Sequence, residues 1–122
     1  MRILVVEDNP ERVKKFRREL VGSIVDYAVD ADSAMACLAS HGYDLIFLDH
    51  DLGLREMVDS DDANTGYQVA LAIARDAKNT SVIVVHSCNP AGAANISRAL
   101  PRAMLAPFPV LDIAAAAALA DN

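Results

Sequence analysis

The stretch Asp44-Leu45-Ile46-Phe47-Leu48-Asp49-His50-Asp51 decides how the rest of the chain is read. Residues 45–48 are uninterruptedly apolar, so a strand formed there is buried on both faces. That is the mark of a central strand in a parallel sheet. The run ends abruptly on two carboxylates and an imidazole. In open α/β sheets, ligands bind beyond the carboxyl ends of the strands. Asp49, His50 and Asp51 therefore mark the end of the sheet where chemistry is expected.

Other segments repeat the design. Residues 3–6 form a short β-branched run ending at Glu7-Asp8, after which Asn9 caps a helix with Pro10 at its first position. Val13, Phe16 and Leu20 share its inner face. Arg12, Lys14, Lys15, Arg17 and Arg18 make a basic, solvated face, and Gly22 ends the helix. Residues 24–29 read as an edge strand, because Asp26 interrupts them. A second helix is capped by Asp30 or Asp32 and runs through Ser40, with Met35 and Leu38 facing inward.

Residues 52–65 exceed the usual strand-to-helix connection, which suggests a functional or mobile loop. Its Glu56, Asp59, Asp61 and Asp62 fit no calcium-loop spacing and read as solvated. A helix over 66–77 follows, with Tyr67, Ala70, Ile73 and Ala74 inward. Residues 82–85 are a fourth apolar strand, ending at His86-Ser87-Cys88-Asn89-Pro90. Asn89 caps the next helix, which runs to about Leu100. Residues 103–106 are a last strand, and 110–119 a closing helix. Five β-α repeats imply parallel strands with helices on both faces. The expected fold is α/β, a flavodoxin-like doubly wound five-stranded parallel sheet of order 2-1-3-4-5, in a single domain spanning 1–122.

That strand order sets Glu7 and Asp8 beside Asp49. Carboxylates packed together repel, and a hard divalent cation such as Mg²⁺ relieves the repulsion while leaving room for a phosphate. His86 and Ser87 join the rim from the fourth strand. The helix that begins after Asn89 aims backbone N–H groups at the same place. The pocket is expected to hold a metal and a phosphate-bearing group.

The net charge of −6 argues against nonspecific binding to nucleic acid or anionic membranes. No stretch is long enough to span a bilayer, and the first residues do not read as a signal peptide. No segment reads as a DNA-binding domain. Cys37 and Cys88 have no metal-like spacing and read as reduced thiols, Cys37 in the core, which makes a cytoplasmic location the expectation.

Glu7-Asp8-Asn9-Pro10 together with Asp44-Leu45-Ile46-Phe47-Leu48-Asp49 resembles the receiver domains of response regulators. The resemblance implies Mg²⁺ at Glu7, Asp8 and Asp49. It implies a phosphoryl group passed to Asp49 by a histidine kinase or phosphotransfer protein, and a signal handed to a separate output protein. Two positions depart from it. His86 stands where a receiver has Ser or Thr, and Ala106, before Pro107, stands where it has Lys. The loop after Asp49 is also longer and lacks the Met-Pro turn.

The departures themselves have a pattern. Leu48-Asp49-His50-Asp51-Leu52-Gly53, Thr65-Gly66-Tyr67 and His86-Ser87-Cys88-Asn89-Pro90-Ala91-Gly92 resemble a receiver-like family proposed to process cyclic phosphates. In that reading His50 and His86 are general acid and base, and Ser87 and the helix N-terminus near Asn89 hold the phosphate. The carboxylates hold metal, and Asp51 orients a histidine or joins the metal shell. A phosphate-bearing small molecule then replaces the kinase as partner. A binding module without catalysis is the third reading.

Overall fold

A computed structural model describes residues 1–121. The strands are β1 (Arg2–Val6), β2 (Ile24–Ala28), β3 (Leu45–Leu48), β4 (Val82–Val85) and β5 (Met104–Leu105). The helices are α1 (Pro10–Glu19), α2 (Ala31–Ser40), α3 (Gly66–Arg75), α4 (Pro90–Ala99) and α5 (Ile113–Ala120), with a 3₁₀ turn at Phe108–Val110. These strands pair in parallel, in the order β2-β1-β3-β4-β5. This is the flavodoxin-like α/β topology expected from the sequence.

Strand alternation divides the interior in two. Leu4, Val6, Ile46, Leu48, Ile83 and Val85 pack toward α2, α3 and α4. Ile3, Val5, Leu45, Phe47 and Val84 pack with Phe16 of α1, Leu20 just after it and Ile113 of α5. A strand covered on both faces gains from an apolar residue at every position, which explains why residues 45–48 show no alternation.

Caps place the helix starts. The Asn9 side chain accepts from the N–H groups of Glu11 and Arg12, and Asp30 forms a reciprocal capping box with Ser33. Several expected bounds shift. Helix α1 ends at Glu19, and Gly22 serves the following turn with φ +95°. Helix α3 stops at Arg75, and its buried side is Gly66, Val69, Ala70 and Ile73, whereas Ala74 is exposed. On α2 the deepest residues are Ala31 and Ala34, with Met35, Cys37 and Leu38 only partly covered. Strand β5 has two residues, and α5 starts three residues later than expected, behind the 3₁₀ turn, with Asp112 as its cap. Asp26 sits in an edge strand as anticipated, held by Arg2 at 3.1 Å and the Tyr43 hydroxyl at 2.7 Å.

The loop 52–65 is tied down. Leu52 is fully buried, and the Asp51 carboxylate accepts from the N–H groups of Met57 (2.8 Å) and Val58 (3.2 Å). Arg55 grips Asp62 with two bonds of 2.9 and 3.2 Å. Asp59 and Asp62 accept from the backbone N–H groups of Asp61 and Asn64. The loop's acidic residues therefore shape its own turns.

Candidate active site

Sheet register builds the site. Val6, Leu48 and Val85 are in line across β1, β3 and β4, and Leu105 of β5 pairs with Val85. The next residue on each strand is therefore also in line: Glu7, Asp49, His86 and Ala106. The backbone bonds Asp49 N–H to Val6 O (3.1 Å), His86 N–H to Leu48 O (3.1 Å) and Ala106 N–H to Val85 O (2.8 Å) hold that row.

Glu7 and His86 are fully buried, and Asp49 is 4% exposed. His86 Nε2 lies 3.0 Å from Glu7 Oε1. Glu7 Oε2 accepts from the N–H groups of Asp8 (3.0 Å) and Asn9 (3.1 Å). Asp49 Oδ1 accepts from the His50 N–H at 2.8 Å. The His86 ring rests against Phe16 and Phe108, at centroid distances of 5.3 and 6.2 Å, and its Nδ1 has no hydrogen-bond partner among the described residues.

Burial sets the electrostatics. Desolvation, reinforced by Glu7, pushes the Asp49 carboxyl up to about 7, against the pull of His86. Desolvation likewise raises Glu7, opposed by the Asn9 N–H and by Arg12. The buried imidazole of His86 is pushed down to about 4, so it is neutral near pH 7.

Glu7, Asp8, Asp49 and Asp51 open on a cleft of about 330 Å³, which Arg12, Leu54, Arg55, Glu56 and Cys88 also line. Asp8 accepts from the Leu54 N–H, which holds the loop over the cleft. Glu7, Asp49 and His86 each offer a ligand atom, all within 4.8 Å of one another. Two carboxylates and an imidazole can hold a divalent cation, and this cluster has His86 where the sequence led to Asp8 and Asp51.

The other expected site residues lie elsewhere. His50 is fully buried but does not line the cleft. Its Nδ1 is 2.8 Å from Asp51 Oδ1, and its Nε2 is 2.8 Å from Ser60 Oγ. Successive residues leave a strand on opposite sides, so the neighbour of Asp49 turns toward α4 while His86 stays on the Asp49 side. The shared rim expected of the two histidines is therefore corrected.

Ser87 lies beside an apolar groove near Leu105 and Pro109, and its Oγ accepts from the Asn89 N–H at 3.0 Å. The Asn89 side chain caps Gly92 N–H at 3.0 Å and donates to Asp51 Oδ1 (3.0 Å) and Val58 O (3.2 Å). Ser87 braces the start of α4 and Asn89 fastens it to the loop, and neither lines the cleft. Asp51 does line the cleft, but its oxygens hold the loop backbone. Its carboxyl is desolvated, yet bonds from Asn89, His50, Met57 and Val58 keep it below the ordinary range.

Two glycines make this arrangement possible. A Cβ on Gly92 would stand 2.3 Å from the His50 ring, and one on Gly66 would stand 1.7 Å from the Asp49 carbonyl oxygen. Arg12 was not singled out from the sequence, where it counted only as part of a basic face. Its signal was positional. It is the third residue of α1, close to the positive end of the helix dipole, where a cation is disfavoured.

The family model described as "Cyclic-phosphate processing Receiver domain" matches residues 2–102. The chain belongs to the cyclic-phosphate-processing receiver family. Solved receiver structures share its fold. A CheY-like response regulator receiver domain from Methylobacillus flagellatus has a TM-score of 0.68 at 21% identity, covering 93% of this chain and 90% of its own. A sensor protein from Polaromonas sp. JS666 reaches 0.72 at 23% identity, covering 99% and 96%. The response regulator TrrA of Thermotoga maritima, in complex with Mg²⁺ and BeF, reaches 0.66 at 25% identity, covering 88% and 87%. No curated protein matches the chain in sequence. This receiver domain has, among its described residues, no helix long and apolar enough to cross a membrane.

Proposed function

We propose that this receiver domain is a metal-assisted enzyme that opens cyclic phosphate esters in the cleft over Glu7, Asp49 and His86. The carrying observation is the buried pair of Glu7 Oε1 and His86 Nε2, 3.0 Å apart, beside a carboxyl raised to about 7. An ordinary receiver holds its acyl phosphate with a hydroxyl and a lysine. Here those places are taken by His86 and Ala106, and the matching family is the one described as cyclic-phosphate processing.

A divalent cation held by Asp49 with Glu7 or Asp8 would offset charge on the phosphate and polarise its P–O bonds. Asp49 is the proton-handling group. Its Oδ2 lies 3.9 Å from Arg12 Nη1. As a water attacks phosphorus, Asp49 Oδ2 takes its proton and passes it to the ester oxygen that leaves, giving a phosphomonoester. His86 donates from Nε2 to Glu7 and keeps that carboxylate fixed, so it positions Glu7 without meeting the substrate.

The test is turnover of a 2′,3′-cyclic nucleotide by the whole chain with Mg²⁺ or Mn²⁺. Asp49→Asn should abolish product, and His86→Ala should reduce it strongly. Full activity in Asp49→Asn would overturn the reading. A second reading, transfer of a phosphoryl group to Asp49 from a kinase or phosphotransfer protein, is favoured by the carboxylate's place at the end of β3. Acetyl phosphate and Mg²⁺ should then add a phosphoryl-sized mass that Asp49→Asn lacks.

A further inference from the structure

The cleft is lined by five acidic side chains, Glu7, Asp8, Asp49, Asp51 and Glu56, yet the ligand proposed for it is an anion. A single divalent cation leaves such a cleft negative, so a phosphate needs a further positive group. Ala106 supplies none. Two arginines line the cleft, and they differ in their commitments. Arg55 spends its fork on Asp62.

Arg12 is held differently. Its guanidinium carbon sits 4.8 Å from the centroid of the Phe108 ring. Phe108 is itself anchored by its N–H to His86 O at 2.9 Å and by packing on the Phe16 ring. The ring comes from the segment just after Ala106 and Pro107, so that segment presents a platform for a cation carried by α1. Arg12 Nη1 lies 3.6 Å from Glu7 Oε1 and 3.9 Å from Asp49 Oδ2, beyond hydrogen-bond range. Its one side-chain bond among the described residues goes from Nη2 to Cys88 Sγ at 3.7 Å, a weak acceptor. A guanidinium has five N–H donors, and most of these are unspent at the mouth of the site. Its place in the first turn of α1 opposes the helix dipole, so helix stability does not explain it.

We propose that Arg12 is the phosphate-binding cation of this cleft, supplying from α1, across the Phe108 ring, the positive charge that Ala106 does not. It rests on the reading of the cleft as a phosphate site. The planar fork grips two non-bridging phosphate oxygens, and Asp49 lies within reach of the same phosphorus.

Titration of the whole chain with inorganic phosphate at saturating Mg²⁺ tests this without requiring turnover. Arg12→Gln should weaken phosphate binding by about tenfold or more, the loss expected for a charged bidentate contact. Arg12→Lys, which keeps the charge and loses the fork, should fall between that variant and the native chain. Lys14→Gln removes an equal charge from the same helix, where Lys14 is exposed and paired to Glu11, and should bind as the native chain does. The Mg²⁺-dependent rise in Tm, measured without phosphate, should survive in both Arg12 variants, which separates phosphate binding from folding and from metal binding. Native affinity in Arg12→Gln, equal losses in Arg12→Gln and Lys14→Gln, or no phosphate binding by the native chain would each overturn the assignment. A native chain that binds phosphate through Arg12 but turns over no cyclic ester would overturn the enzymatic reading alone.

Discussion

Glu7 Oε1 and His86 Nε2 stand 3.0 Å apart with both side chains fully buried, joined across β1 and β4 by residues 79 apart in sequence. Removing the imidazole strips that carboxylate of one partner but leaves it two backbone N–H donors and Arg12 at 3.6 Å. His86→Ala should therefore cost about 2–4 kcal/mol of stability, from the lost hydrogen bond of a neutral imidazole to a buried carboxylate and the cavity the ring leaves. Urea denaturation of the metal-free protein measures it, and a loss under 1 kcal/mol (roughly the worth of an exposed pair) would mean the two groups are not coupled.

Metal binding should depend on pH through Asp49. Its carboxyl is pushed up to about 7 by burial, so near pH 6 a cation must displace a proton that it need not displace near pH 8. The rise in Tm caused by Mn²⁺ should be larger at about pH 8 than at about pH 6. Asp49→Asn should lose most of the rise at both. An equal shift at the two pH values would place the metal away from Asp49.

Without metal, two groups pull stability in opposite directions. The folded His86 titrates near 4 and its unfolded form near 6.5, so the unfolded chain binds more protons between those values. Stability from this source is lost as pH falls below about 6.5. Asp49 titrates near 7 when folded and near 3.8 when unfolded, so its contribution is lost as pH rises over that interval. The slopes of Asp49 and His86 oppose each other between about pH 4 and 6.5, and Glu7, also raised by burial, adds to the Asp49 side, so Asp49→Asn should make stability climb more steeply with pH through that window than in the native chain. Urea midpoints across the range decide the matter.

The ring of His50 and the Cα of Gly92 are in contact, and a methyl group on Gly92 would meet the ring at 2.3 Å. Gly92→Ala should cost about 1–3 kcal/mol through overpacking, and it should loosen loop 52–65, which hangs on the Asp51–His50–Ser60 chain. Hydrogen exchange at the amides of Met57 and Val58 reports the loosening. Unchanged protection there would show that the loop is held by other contacts.

Asp51→Ala tests the same loop from the other side. That carboxylate accepts from Met57 and Val58, from Asn89 and from His50. Its loss should speed proteolytic cleavage within 52–65 and weaken metal binding little compared with Asp49→Asn. A metal loss equal to that of Asp49→Asn would return Asp51 to the metal shell.

The apolar run at residues 45–48, the acidic pair at Glu7-Asp8 and the helix starts at Pro10 and Pro90 were legible from local chemistry alone. They suffice for a parallel sheet with 45–48 at its centre, and at this length they leave the order 2-1-3-4-5 as the natural candidate. Composition and spacing also put Glu7 and Asp49 at one sheet end. What the linear order did not reveal is which side chains share a face. His50 and Ser87 sit one residue from Asp49 and His86, yet the turn from one strand position to the next sends them into the α4 packing, where His50 and Asn89 hold a loop. Arg12 reads in the linear order as one of several solvated cations, and only the fold sets Phe108, far along the chain, beneath its guanidinium. Propensity and burial pattern are properties of short segments and survive in the sequence, whereas a hydrogen-bond partner or a ring platform is a property of distance and exists only once the chain is folded.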